Sequence, residues 1–204
     1  MSVNPAPPVS RTSRDRQRLE TREKVFEAAI GEFRRSGFDQ SQIDDIVKAA
    51  GVARGTFYFH FPTRDHVLLE LLKRLQTEAA VAVERRGAVR NSVRGYLTNF
   101  SNALVAAVGQ LERMGLRREL FAVVVRRSGE LELEDLPVVQ VLLSFFAAAQ
   151  EHDEVRSDLT PDDMTTSFLT GIFGSLLTMS GSGERRLRAA VAGVVDVFVR
   201  GLAP

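Results

Sequence analysis

Residues 43–68 read IDDIVKAAGVARGTFYFHFPTRDHVL, and this stretch decides the fold. Ile43 and Ile46 begin an apolar pattern with the spacing of a short helix. Gly51 follows, a residue that accepts the left-handed backbone conformation that a β-carbon disfavours. Phe57 is an inward residue of a second short helix, which Pro62 ends. Two short helices joined by a tight glycine turn form a helix-turn-helix motif.

The second short helix keeps four polar side chains after its apolar residues are buried, namely Arg54, Thr56, Tyr58 and His60. Arginine can grip guanine O6 and N7, threonine can bond a base or touch the thymine methyl, and tyrosine and histidine can donate to phosphate oxygens. Gly55 costs about 1 kcal/mol relative to alanine inside a helix, which close backbone approach to a base or phosphate would explain. The alternative is a solvated polar face, but turn, capping and spacing agree across the whole stretch and favour DNA contact.

The flanking sequence predicts one long helix before this motif and one after it. Apolar residues recur at helical spacing from Leu19 to Phe33, and Gly37 stops that helix. Ser41 and Asp44 stand three apart and predict a capping box at the start of the second helix. Thr63 is expected to cap a fourth helix that runs to about Arg86.

The remainder of the chain also has a helical pattern, which makes the predicted fold all-α with about nine helices. Five further helices are expected near residues 89–110, 112–127, 136–151, 160–180 and 184–201. Thr160 precedes Pro161, Asp162 and Asp163, which is typical of a helix N-terminus. The predicted domains are a disordered tail at 1–13, a three-helix helix-turn-helix domain at 14–62 and a larger helical body at 63–204.

Composition narrows the function further. The chain has 204 residues, 44% of them hydrophobic, and no cysteine, which excludes disulfides and thiolate chemistry. No apolar run reaches the roughly 18 residues needed to span a bilayer, so we expect a cytoplasmic protein. Residues 11–64 hold eleven basic and eight acidic residues, whereas the rest has sixteen and eighteen. Residues 11–64 are thus mildly positive and the rest of the chain is mildly negative. A positive surface favours contact with a polyanion.

The stretch 43–68, together with Phe26–Ile30 and Gly37-Phe38, resembles the TetR family of bacterial transcriptional regulators. The resemblance covers about 50 residues; beyond Leu72 only the helical pattern and the length are similar. It implies a DNA-binding head on a helical body, a homodimer and a pocket for a small-molecule effector. Carried over residue by residue, it implies DNA contacts at Ser41, Gln42, Arg54, Gly55, Thr56, Tyr58, Phe59, His60 and Arg64, with Ser41, Gln42 and Arg64 near phosphate.

Three residues depart from the family pattern. Ala53 stands where a serine or threonine is common, Val47 where a small alanine is usual, and Phe59 where a polar or hydroxylated aromatic is common. These departures leave the resemblance intact, but they put the operator sequence in doubt.

The body contains many phenylalanines, which allow two interpretations. They could line an apolar cavity for a hydrophobic or aromatic effector, or they could form an ordinary aromatic core. The candidates for a cavity are Phe100, Leu104, Phe121, Phe145, Phe146 and Phe168, with Arg94, Tyr96, Asn99, Asn102, Arg117 and Gln140 as candidate polar anchors.

The last two helices are apolar or small over most of their circumference. Such a helix is buried either in a core or in an interface between subunits. The family resemblance favours the interface, with the two helices pairing about a two-fold axis. The predicted interface residues are Phe168, Ile172, Ser175, Leu176, Met179, Leu187, Val191, Val194, Val195 and Phe198.

The sequence shows no recognisable set of catalytic residues. There are three histidines, and His152 has no second histidine three or four residues away, so neither a metal nor a cofactor is expected. The predicted function is therefore a repressor that binds a palindromic DNA operator and is released by a small apolar effector. The alternatives are an activator, a partner-controlled regulator, or a ligand-carrying protein without DNA binding.

Overall fold

The computed structural model describes residues 13–87, 92–130, 136–179 and 183–203. Within these ranges the chain is all-α, with no strand, and this confirms the predicted fold class. A 3₁₀ turn at Ser128–Glu130 follows the sixth helix. The described residues contain nine α-helices, which are α1 Ser13–Ser36, α2 Ile43–Ala50, α3 Arg54–His60, α4 Arg64–Gly87, α5 Val93–Met114, α6 Arg117–Arg126, α7 Pro137–Glu151, α8 Pro161–Thr178 and α9 Glu184–Gly201.

The described residues form two compact units, which divide between Val67 and Leu68, inside α4. The sequence predicted a boundary at 62/63. The predicted tail lies outside the described residues, except for Ser13, which begins α1.

The first unit packs α1, α2 and α3 around an aromatic centre. Phe33, Ile46 and Phe57 are fully or almost fully buried, and Phe57 contributes the only fully buried side chain of α3. Phe33 and Phe38 meet edge to face at 4.9 Å, so the chain beyond α1 folds back onto the core. This buried centre fixes which side of α3 remains outside.

The turn of the helix-turn-helix has the predicted geometry. Gly51 has a φ of 66°, and its backbone N–H caps the last turn of α2 through the carbonyl of Lys48. The predicted capping box at Ser41 and Asp44 is wrong. Gln42 is the N-cap residue, without a side-chain cap hydrogen bond, because the Ser41 hydroxyl turns inward and donates to the Phe38 carbonyl at 2.7 Å.

The second unit has one continuous hydrophobic core built from α4, α5, α7, α8 and α9. The predicted start of α8 is confirmed, because the Thr160 hydroxyl accepts from the Asp163 backbone N–H in a full capping box. Helix α5 runs past its predicted end at 110, since Leu111 is still buried and the first left-handed residue is Gly115, at a φ of 70°. Among the described helices, none combines the length and apolar character of a membrane span.

Candidate DNA interface and ligand cavity

Helix α3 presents a polar and aromatic surface to solvent. Arg54, Tyr58 and Phe59 are exposed, Phe59 by 70%, while Thr56 and His60 are half-buried. A β-carbon built at Gly55 would meet no atom within 4 Å, so the protein's own packing does not require a glycine there. The backbone at Gly55, which carries no side chain, therefore lies on an open face of α3, where another molecule can approach closely.

Arg54 is oriented by two neighbours. Its Nη1 donates to the Asp44 carboxylate at 2.6 Å, and its Nη2 lies 3.5 Å from the Tyr58 hydroxyl. The hydrogen bond with Tyr58, followed by that with Asp44, raises the pKa of the guanidinium above its ordinary value. The side chain is still 56% exposed. The cation is therefore held at the surface of α3, beside α2.

The surroundings of His60 disfavour its protonated form and lower its pKa. Burial lowers the pKa of the imidazole, and the positive charges of Arg22 and Arg18 lower it further. Arg22 also donates to the His60 backbone carbonyl at 2.7 Å and stacks over the Phe61 ring at 4.3 Å. A neutral imidazole can offer one N–H to a phosphate oxygen but contributes no positive charge.

Ser41 and Arg64, two predicted phosphate contacts, lie in a hydrogen-bonded clamp within the first unit. Arg64 Nη1 donates to the carbonyl of Phe38 at 2.7 Å, and to the carbonyl and hydroxyl of Ser41 at 2.6 and 2.8 Å. The Arg64 guanidinium also lies 5.1 Å from the centre of the Phe38 ring. Ser41 is only 3% exposed. Both side chains are thus engaged by the protein, whereas Gln42 is exposed.

The second unit contains an apolar cavity of about 520 Å³. Its walls come from α4 to α8, and most of the lining side chains are aliphatic. Phe121 of α6 and Phe173 of α8 meet on the wall with their ring centres 5.4 Å apart. The volume falls within the range of about 300–1,000 Å³ that is typical of small-molecule sites.

Two of the six predicted cavity residues, Leu104 and Phe121, line this cavity. The other four are buried in the core and are not among the lining residues. This corrects their assignment, because helical periodicity marks a residue as inward without saying whether it meets a void or another side chain. The four core residues are Phe100, Phe145, Phe146 and Phe168.

The predicted polar anchors do not line the cavity, and other polar side chains do. Tyr96 stacks on Phe145 at 3.8 Å and donates to the Val141 carbonyl, while Arg94 pairs with Asp196 at 2.9 Å. No signal in the sequence separates the actual lining residues from other polar positions on helices. They are Gln76, Ser128, Asp162, Thr165, Thr166 and Thr170.

Six of the ten predicted dimer residues are buried within a single subunit. Their side chains pack in the core of the subunit itself, and their part in a dimer interface stays a prediction; they are Phe168, Ile172, Leu176, Leu187, Val191 and Val195. The remaining four, Ser175, Met179, Val194 and Phe198, are half-buried. The most exposed large apolar side chains of these two helices are Phe173, Leu177 and Val197, at 37%, 43% and 73%.

A helix-turn-helix with an exposed polar face is the arrangement with which such motifs contact DNA. The same chain also holds an apolar cavity whose volume is typical of small-molecule sites. Residues 25–71 match the family model of the bacterial regulatory proteins of the tetR family. This stretch is therefore similar to the TetR family of transcriptional regulators, and it makes up 47 of the 204 residues.

The curated relatives match a short part of the chain. The HTH-type transcriptional regulator EthR of Mycobacterium tuberculosis is 48% identical over 42 residues, which cover 21% of this chain and 19% of EthR. The alignment thus spans about a fifth of that relative's length.

Solved structures match the fold over most of its length. FadR of Thermus thermophilus, a repressor in complex with lauroyl-CoA, has a TM-score of 0.74 at 24% identity and covers 90% of this chain and 95% of FadR. FadR of Bacillus subtilis, in complex with stearoyl-CoA, has a TM-score of 0.59 at 19% identity and covers 88% and 98%.

Proposed function

We propose that this regulator is a repressor that binds a palindromic operator as a homodimer and is released by a small, largely apolar effector. The observation that carries this proposal is the apolar cavity of about 520 Å³, on the same chain as the helix-turn-helix. A well-packed helical unit has no structural need for such a void, since protein interiors contain few gaps larger than a water molecule. Binding of an apolar molecule would explain why the cavity is present.

The structural neighbours support a chain-like occupant. The two FadR structures contain lauroyl-CoA and stearoyl-CoA, each of which has a long aliphatic group. The cavity walls here are mainly aliphatic and offer a similar apolar surface. We therefore expect the effector to carry an alkyl or acyl chain.

Helix α4 is the element through which an effector would act. It begins at Arg64, in the clamp with Ser41, and its residues Leu72, Leu75 and Gln76 line the cavity. An effector that displaces these three residues would shift the first turn of the same helix. Release requires that the effector bind the released form more tightly than the DNA-bound form, because only differential affinity moves the equilibrium.

A dimer would supply the second recognition helix. One seven-residue helix reads few base pairs, whereas two helices spaced at roughly 34–36 Å read two half-sites of a palindrome. The exposed residues Phe173, Leu177 and Val197 on α8 and α9 offer an apolar face for a second copy.

The proposal is tested by selecting duplexes from a randomised pool and then titrating alkyl and acyl compounds against the selected complex. A palindromic duplex should emerge, and at least one compound should release it. Leu104→Trp fills the cavity and should prevent release while DNA binding persists. Val81→Trp, an exposed position on α4 that does not line the cavity, serves as its control. A complex that survives every compound bound by the cavity would refute the repressor mechanism.

A further inference from the structure

Two buried polar atoms that belong to cavity-lining residues lack a hydrogen-bond partner in the part of the chain that the structure describes. They are Oγ1 of Thr165 on α8 and Oε1 of Gln76 on α4, and both are buried. Thr165 itself is only 1% exposed. An unpaired buried polar atom costs roughly 1–3 kcal/mol, so two of them in one cavity are a feature to be explained.

The chemistry of these two atoms favours a particular kind of ligand group. A carboxamide oxygen only accepts hydrogen bonds, while a threonine hydroxyl can both donate and accept. A ligand hydroxyl or amide that reaches Gln76 Oε1 can donate to it, and one that reaches Thr165 Oγ1 can donate to it or accept from it. A carboxylate, which lacks a proton to donate, would leave the Gln76 oxygen unpaired.

The charges of the cavity-lining residues also favour a ligand without a negative charge. None of the described residues that line the cavity is a lysine, arginine or histidine, and Asp162 lines it with a negative charge. A buried carboxylate or phosphate needs a cation or several donors, and an unpaired one is strongly disfavoured.

Two arginines on or next to α6, a helix that contributes to the cavity wall, are already engaged. Arg117 ion-pairs with Glu112 and donates through Nη2 to the carbonyl of Leu176 at 2.7 Å. Arg127, which precedes Ser128, pairs with Glu130 at 2.5 Å. Recruiting either cation for an anionic ligand would break an existing ion pair.

We propose that the cavity binds an electrically neutral alkyl compound that carries a hydrogen-bond-donating hydroxyl or amide group, and that Thr165 and Gln76 recognise that group. This inference rests on the proposed function and specifies its effector. The site discriminates against anionic amphiphiles. An acyl chain attached to an anionic carrier fits only if every charged group stays outside the cavity.

The test compares three compounds with the same number of non-hydrogen atoms, namely decan-1-ol, nonyl methyl ether and nonanoate. Their affinities for the full-length protein are measured by displacement of the neutral fluorophore N-phenyl-1-naphthylamine at pH 7.5. Decan-1-ol should bind roughly tenfold or more tightly than nonanoate, because the carboxylate would be buried without a cation. It should also bind more tightly than the ether, which cannot donate to Gln76.

Two variants identify the recognising atoms. Thr165→Val preserves the side-chain shape and should weaken decan-1-ol roughly three- to tenfold, the effect of one lost hydrogen bond. Gln76→Leu should weaken decan-1-ol but leave the ether unchanged. Thr77→Val, at an exposed threonine on α4 that does not line the cavity, is the matched control and should change no affinity.

A second measurement distinguishes recognition from a structural role. Thr165→Val should raise or preserve the melting temperature of the ligand-free protein, because it removes an unpaired buried hydroxyl. Nonanoate binding as tightly as decan-1-ol, no binding by any of the three, or an unchanged decan-1-ol affinity in Thr165→Val would each overturn the inference. If decan-1-ol binds with the expected preference but never releases the operator, the repressor mechanism fails while the ligand class stands.

Discussion

Replacement of Arg64 by alanine separates two explanations of this residue. The family resemblance predicts a phosphate contact, whereas the structure places its Nη1 within 2.8 Å of three acceptors in the connection between α1 and α2, with the Asp39 carbonyl farther away at 3.5 Å. Arg64→Ala removes those hydrogen bonds and the contact with the Phe38 ring. It therefore loosens the segment that leads into the helix-turn-helix.

The size of the effect follows from these contacts. A hydrogen bond from a charged donor contributes about 1.5–3 kcal/mol, and one nitrogen shared by three acceptors does not contribute three times that amount. We expect a loss of about 2 kcal/mol, a large fraction of the 5–15 kcal/mol that is typical of a folded domain. Arg64→Lys keeps the charge but not the planar geometry, and should recover only part of the loss.

Urea denaturation followed by circular dichroism measures the stability, and fluorescence anisotropy over a salt series measures DNA binding. We expect lower stability, a similar loss of affinity for operator and random DNA, and an unchanged salt slope. The clamp explanation is refuted if stability is unchanged while the slope of log affinity against log salt falls by about one, the signature of a lost phosphate contact.

Four further predictions test the remaining features. Arg54→Ala should weaken operator binding by about 1–3 kcal/mol with a much smaller loss on scrambled DNA, whereas Arg34→Ala, an exposed position on α1, should do neither; equal losses on both duplexes would contradict base recognition by Arg54. The pKa of His60 is depressed below 6.5, so its contribution to stability is intact above that pH and is lost as the pH falls towards the folded-state pKa; melting temperatures between pH 7.5 and 5.5 should fall less steeply in His60→Gln. Thr160→Ala should cost about 1 kcal/mol in thermal unfolding because α8 loses its N-cap. Val197→Asp should leave the melting curve of the subunit within about 0.5 kcal/mol and abolish dimers in sedimentation, and a persistent dimer would move the interface elsewhere.

Helix ends could be predicted from the sequence where the role of a residue depends only on its neighbours along the chain. Gly51 lies in the left-handed region, and Thr160 caps α8, because glycine turns and threonine caps depend on a few neighbouring residues. Ser41 failed as a cap for the opposite reason. Its hydroxyl bonds to Phe38 and Arg64, and contacts over 23 residues of sequence leave no local signal.

The sequence could not predict which residues line the cavity or which lie on the exposed face of the body. The reason is geometric. Phe121 and Phe146 have the same chemistry and both lie on amphipathic helices, yet the first lines a void and the second is fully enclosed by side chains. Likewise Leu176 and Leu177 are adjacent in sequence, but one is buried and the other exposed. Such differences depend on how neighbouring helices cross, which the periodicity of one helix does not specify.

Helix α8 serves two surfaces only one side chain apart. Leu176 belongs to the cavity wall, and Leu177 belongs to the exposed apolar face at which we expect a second copy. We expect an occupant that shifts this helix to change the affinity for the partner, and thermodynamic linkage then makes their influence mutual. The apparent affinity for the effector should therefore change when the protein is diluted, because the subunits separate. A titration at nanomolar protein and one at micromolar protein should give different dissociation constants for the same compound.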